Sequence, residues 1–331
     1  MNLSIRSNKK AIPKINKAIR LVTGTDFSVA VWARIENIKN AKVEVCQSAG
    51  YHYNGSAMFS IYRTEAGSTI EKEGSFVLSA NFCFDTLFSS QDPLEYVQSQ
   101  YVSGTSAELP KGSLLPPMGN QEVWAAGVTY FRSRDARMEE SESSGGDRFY
   151  DLVYDAERPE LFFKATAERT RGHGDKVCIR SDSSWDVPEP ELTLAINDSG
   201  RIFGYTVGND MSSRSIEGEN PLYLPQAKVY RGSCAVGPCL VVGEAPSPEA
   251  MISVKISRGG ESVFSGSTEV SQIKRGFDEL AEFLFRENEF PKGALLMTGT
   301  GVVPDSDFTL ASEDVITISI DGIGTLENQV E

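Results

Sequence analysis

Residues 187–194 read Val187-Pro188-Glu189-Pro190-Glu191-Leu192-Thr193-Leu194, and the chain continues through Asn197-Asp198-Ser199-Gly200 into Gly204-Tyr205-Thr206-Val207-Gly208-Asn209-Asp210. The apolar and β-branched residues predict two strands, and the NDSG tetrapeptide between them predicts a tight return. In an extended strand residues i and i+2 share a face, so Glu189 and Glu191 present two carboxylates about 7 Å apart along one side. An antiparallel return brings Asp210 beside them. Three oxygen donors without His or Cys suit a hard divalent ion, Mg²⁺ first, with Mn²⁺ or Ca²⁺ as alternatives. Taken alone, the pattern equally fits the solvated face of an edge strand.

The segments around this pair are also strand-like. After it come MISVKIS, ESVFSG and DVITISID, separated by turn residues such as SRGG. Before it come DFSVAVWARI, AKVEVCQ, SAMFSIYR and GSFVLSANFCF, with PLEYVQSQYV as a short helix. One longer helix is expected in SQIKRGFDELAEFLFREN, where Ile273, Phe277, Leu280 and Leu284 step by four, three and four onto one face. Residues 103–121, SGTSAELPKGSLLPPMGNQ, concentrate Gly, Ser and Pro and predict the domain boundary. The expected division is an N-terminal domain over 1–112 and a catalytic domain over 120–331.

Composition narrows the function classes. At 331 residues and 40% apolar content, the chain can bury a sizeable core. A net charge of −14 provides no basic field for a nucleic-acid backbone or an anionic membrane, although a bound cation can reverse the sign locally for a small anionic substrate. The two histidines, His52 and His173, lie far apart and exclude HExxH zinc chemistry. The five cysteines form no CxxC pair and read as reduced, and no segment approaches the length of a membrane span. These features point to a cytoplasmic protein acting on a small molecule.

The string FGYTVGNDMSSRSIEGENPLYLPQAKVYRGSCAVGPCLV, with PEPEL before it and LLMTGT and DVITISIDGIGTLENQV after it, resembles the catalytic domain of the fumarylacetoacetate hydrolase superfamily. Each part is weakly specific, and their order over the last two-thirds of the chain is what carries the resemblance. It implies an α+β protein: a β-rich catalytic domain built as a mixed β-roll with few helices, after a smaller N-terminal α/β domain. It also implies Glu189, Glu191 and Asp210 as Mg²⁺ ligands, and a homodimeric or homotetrameric assembly.

Within the superfamily, RSIEGENPLYLPQAKVYRGSCAVGP and PPMGNQEVWAAGVTYFRS resemble the branch that dehydrates 2-keto-3-deoxy-D-arabinonate. Family hydrolases place a water-activating His and Glu in a GxNYxxHxxE stretch. Here Ser133 and Ala136 stand at those positions, so the resemblance favours metal-assisted enolisation over hydrolysis. It implies a 2-keto acid substrate that chelates the ion through its carboxylate and keto oxygens and loses water to give 2,5-dioxopentanoate. Lys228 is the implied base at C3, and Glu217 the carboxyl for the departing hydroxyl. Thr298 and Thr300 of the TGT loop, Lys164, Ser133 and Arg171 are the implied substrate contacts, with Lys164 also balancing the acidic charge. Arg171 and His173 are expected on a loop that closes over the site. The rival readings are an acylpyruvate or diketo acid hydrolase on the same site, and a non-catalytic binding protein of this fold.

Overall fold

The computed structural model describes residues 18–23, 27–32, 58–130 and 152–331. Ser133, Ala136, His52 and the AKVEVCQ segment lie outside the described residues. The chain divides into two units, Met1–Gly55 and Ser56–Glu331. In the first, the described residues form an antiparallel hairpin of Ala18–Thr23 with Phe27–Trp32.

The second unit is built on the pair that the ExE segment predicts. Pro190–Ile196 runs antiparallel to Ile202–Asp210, placing Glu191 opposite Gly208. Asn197 closes the turn between them: its Oδ1 accepts from the backbone N–H groups of Ser199 and Arg201, and Gly200 supplies the left-handed φ of +80°. Every residue of Pro190–Ile196 is buried, so the strand is central and the edge-strand alternative falls away.

Ten strands join in one sheet. From one edge they are Thr105–Ser106, Ser75–Ser79, Gly67–Lys72, Phe59–Thr64, Cys234–Val242, Ile202–Asp210, Pro190–Ile196, Ala294–Met297, Glu122–Gly127 and Glu160–Ala165. The sheet is mixed, because Ala294–Met297 runs parallel to Glu122–Gly127 while the other neighbours are antiparallel. A second sheet holds Glu261–Glu269, Met251–Arg258, Val315–Ile320, Gly324–Val330 and Lys176–Val177.

The two faces of the large sheet serve different cores. Leu192, Leu194, Val207 and Val241 pack with Ile252, Val254, Ile316 and Ile318 of the second sheet. Ala195 and Met297 belong to the opposite core, with Phe59, Ile61, Leu87 and Phe88. Alternation therefore sends Glu191, Gly208 and Asp210 to the second face, where the carboxylates meet.

Two expectations are corrected. Residues 103–121 do not separate domains: Phe59–Thr64 pairs directly with Cys234–Val242, so the expected strands in SAMFSIYR and GSFVLSANFCF extend the catalytic sheet. The Pro and Gly residues there mark a connection across the sheet's surface, and the division between units falls at residue 55 instead. The long helix is also shorter than its apolar spacing implies. It spans Phe277–Phe285, begins where the Glu279 side chain accepts from the Gly276 N–H, and leaves Ile273 outside, bridged to Tyr130. Leu280 and Leu284 do bury against the inter-sheet core.

Gly208 shows how tightly the central pair is packed, since a Cβ there stands 2.4 Å from Thr193 Oγ1 and 3.0 Å from Met297 Cε. Gly208→Ala is expected to lower unfolding stability by about 1–3 kcal/mol in a denaturant titration. An unchanged midpoint contradicts this packing.

Candidate active site and metal centre

Glu189 and Asp210 extend the strand pair by one step, each donating its backbone N–H to the other's carbonyl at 3.2 and 3.0 Å. With Glu191 they bring one carboxylate oxygen each to within 4.8 Å of one another. All three side chains are buried.

Three cations surround them. Lys228 ends the helix Leu224–Lys228, and its Nζ donates to Glu189 Oε2 at 2.7 Å, Asp210 Oδ2 at 2.9 Å and Ser212 Oγ at 2.5 Å. Lys164 comes from Glu160–Ala165; it pairs with Asp210 Oδ1 and donates to the carbonyls of Met211 and Lys228. Arg214 opens the helix Arg214–Glu219 and holds Glu189 Oε1 at 2.6 Å. Buried charges are tolerated only when paired in this way, because desolvating each ion costs several kcal/mol.

Glu191 has no such cationic contact among the described residues. Its Oε2 accepts from the Gly299 N–H at 2.6 Å. Burial, reinforced by the charges of Asp210 and Glu189, pushes its carboxyl well above the ordinary range. Three carboxylates converging in a buried, all-oxygen setting form the donor set of a hard cation, so these residues fit Mg²⁺.

The walls of the site come from three further segments. Gly127, Val128, Phe162, Gly299 and Thr300 line the cleft above the carboxylates. Gly299 has a φ of +94°, and a Cβ there would overlap Thr129 Oγ1, so only glycine lets the two loops close. Thr129 Oγ1 then donates to the Thr298 carbonyl at 2.7 Å. Along Glu160–Ala165 the even-numbered residues share the cleft face. Lys164 reaches Asp210, Phe162 lies with its ring centroid 5.6 Å from Lys228 Nζ, and Glu160 pairs with Gly127 and packs its carboxylate against it.

Five of the expected site residues thus come together: Glu189, Glu191, Asp210, Lys228 and Lys164. Thr300 lines the cleft, with its hydroxyl donating to the Val302 carbonyl. The Thr298 hydroxyl turns away and donates to the Leu192 carbonyl at 2.9 Å, a role in fixing the loop. Glu217 is buried on the helix of Arg214 but is not among the cleft-lining residues.

Arg171 does not reach the cluster. Its backbone bridges to Ala235, and its side chain lines a separate cleft with Arg169 and Arg231. His173 accepts from the Glu327 N–H at its Nδ1 while its carbonyl accepts from Leu114, so this segment is tied down rather than poised to close. Arg214, Ser212, Gly299, Phe162 and Glu160 are contributors that the residue-by-residue reading missed. Arg214 had a usable signal, standing four residues after Asp210; the Gly299 N–H had none, because a backbone donor carries no residue-type signature.

The model of the fumarylacetoacetate (FAA) hydrolase C-terminal family matches residues 136–331. A Haloferax volcanii protein named "Probable 2-keto-3-deoxyxylonate dehydratase" is 52% identical over 216 residues, covering 65% of this chain and 73% of the relative. The 2-dehydro-3-deoxy-D-arabinonate dehydratase of Saccharolobus solfataricus is 44% identical over 221 residues, covering 66% and 74%. A solved 2-keto-3-deoxy-D-arabinonate dehydratase, complexed with magnesium and 2,5-dioxopentanoate, superposes with a TM-score of 0.69 at 32% identity, covering 83% of this chain and 98% of that one. The sheet order, the convergent carboxylates and the matched two-thirds of the sequence lead to one assignment: the chain belongs to the fumarylacetoacetate hydrolase family.

Proposed function

We propose that this chain is a Mg²⁺-dependent hydro-lyase that removes one water from a 2-keto-3-deoxy pentonate to give 2,5-dioxopentanoate. The observation that carries the reading is the buried set Glu189, Glu191 and Asp210 with the Lys228 ammonium at its edge. Support comes from relatives named for this dehydration that are 52% and 44% identical.

Glu189, Glu191 and Asp210 would hold the magnesium ion, which when bound would supply a Lewis acid to a 2-keto acid and so make its C3 protons easier to remove. In its neutral amine form Lys228 is the base that takes a C3 proton. It is fully buried, and the Phe162 ring shields it from water. Lys164, through its bonds to the Lys228 and Met211 carbonyls, positions the backbone that carries this base. The C4 hydroxyl leaves as water when it receives a proton. Two carboxyls are candidates for that transfer: the buried Glu217, and Glu160, whose carboxylate packs against the cleft-lining Gly127. A proton shift from C5 to C3 then gives the C4=C5 enol, which gains a proton at C4 as its C5 hydroxyl loses one, yielding the terminal aldehyde with every carbon retained. Thr300 and the Gly299 loop shape the wall against which the substrate lies.

Among the described residues no helix is long and apolar enough to cross a membrane. A cytoplasmic enzyme working as a homodimer or homotetramer completes the reading, by analogy with the family.

Incubated with Mg²⁺ and a 2-keto-3-deoxypentonate, the protein is expected to release a product lighter by one water. Exhaustive chelation should abolish turnover, and added Mg²⁺ should restore it. Faster cleavage of an acylpyruvate, or full activity after metal removal, contradicts the reading.

Lys228→Met is expected to lower turnover by about 10²- to 10⁴-fold. Exchange of C3 protons of pyruvate into deuterated water should be catalysed by the wild type and lost in the variant, with circular dichroism confirming the fold. Undiminished exchange assigns the base to another group.

A further inference from the structure

Arg171, which the catalytic centre does not use, belongs to a second concave site. Glu168, Arg169, Arg171, Tyr230, Arg231 and Gly232 line a cleft of about 310 Å³. That volume lies at the lower end of the range for small-molecule sites. Three arginines line it in a chain whose net charge is −14.

Each of these arginines stands on a fixed stretch of backbone. Arg171 donates its N–H to the Cys234 carbonyl and accepts from the Val236 N–H, both at 2.9 Å. Arg169 closes the 3-10 turn Ala167–Arg169 through a bond to the Thr166 carbonyl. Arg231 lies in the turn closed by Ser233 N–H to Tyr230 carbonyl. There Gly232 has a φ of +66° and approaches Cys178 so closely that a Cβ would stand 2.6 Å from its Sγ.

The charge of the cleft is only partly balanced. Arg231 pairs with Glu331 at 2.7 Å, and Glu168 contributes one carboxylate to the lining. Among the described residues the side chains of Arg169 and Arg171 have no hydrogen bond or ion pair. Like charges gathered on rigid supports repel one another unless an anion joins them. Paired guanidinium forks match the geometry of a tetrahedral or planar oxyanion.

We propose that this cleft binds a small oxyanion carrying two negative charges, such as a phosphate group or a short dicarboxylate. The site is separate from the magnesium centre and uses none of its residues. Two of its lining residues, Tyr230 and Gly232, follow Lys228 by two and four positions, so an anion held there lies against the turn that follows the helix of Lys228.

The test is calorimetric titration of the magnesium-loaded protein with inorganic phosphate and, separately, with succinate. One saturable site per chain is expected for at least one of them, and the tighter binder identifies whether phosphate or dicarboxylate chemistry is recognised. The double substitution Arg169→Ala and Arg171→Ala should weaken that binding at least tenfold. Both arginines line the cleft and their side chains make no hydrogen bond or ion pair among the described residues, so the variant should keep the wild-type melting temperature. Failure of both anions to saturate overturns the proposal, as does equal binding by the variant, which would place the anion at the magnesium centre. A change in oligomeric state without anion binding also overturns it, because the arginines would then serve another protein surface. The titration needs no turnover, so its failure leaves the dehydration reading untouched.

Discussion

Three buried carboxylates held against three buried cations are the constraint on which the rest of this structure depends. Glu189, Glu191 and Asp210 face Lys164, Lys228 and Arg214 in a region closed to solvent. Neither set is tolerable alone, since an uncompensated buried charge costs several kcal/mol. The pairing is uneven. Glu189 and Asp210 each have two cationic partners, whereas Glu191 has a backbone N–H and a raised pKa. That imbalance makes the cluster a place for a further positive charge as well as a set of ion pairs.

The fold meets the constraint with strand geometry. A two-residue period puts the glutamates on one face, and the antiparallel return adds Asp210 from the neighbouring strand. Glu160, Phe162 and Lys164 use the same period on an outer strand of the sheet. The loops at 127–129 and 298–300 close over the end of the sheet, where the positive φ of Gly299 aims its N–H at Glu191. The second sheet packs on the opposite face of the central strands, which are buried throughout. The separation of roles has a physical reason: a rigid, fully paired strand keeps a carboxylate in place better than a loop does.

How much was legible in the sequence follows from which features carry a residue-type signal. The ExE spacing and the Asp after the turn were visible as charged residues beside apolar runs, whereas Lys228 was picked out only by its place in the family motif. The central strands were visible through those same apolar runs. Residues 103–121 misled, because Gly and Pro mark any exposed connection, whether or not a domain ends there. Sheet order decides that question, and the pairing of Phe59–Thr64 with Cys234–Val242 joins segments far apart in the chain. Arg171 misled in a different way. Its Gly-rich surroundings suggested motion, whereas the glycines allow close packing: a Cβ at Gly172 would lie 2.0 Å from the Leu114 carbonyl oxygen. Arg214 was present in the motif but was not weighted, since a lone arginine after a strand is usually a surface residue.

The account stands on the claim that Glu189, Glu191 and Asp210 together ligate one divalent ion. The most direct measurement is anomalous diffraction from crystals grown with Mn²⁺ in place of Mg²⁺. The predicted result is a single strong peak about 2.0–2.2 Å from one oxygen of each of the three carboxylates, the range of hard-cation bonds to oxygen. A peak elsewhere, or none while Lys228 still bridges Glu189 and Asp210, would contradict it.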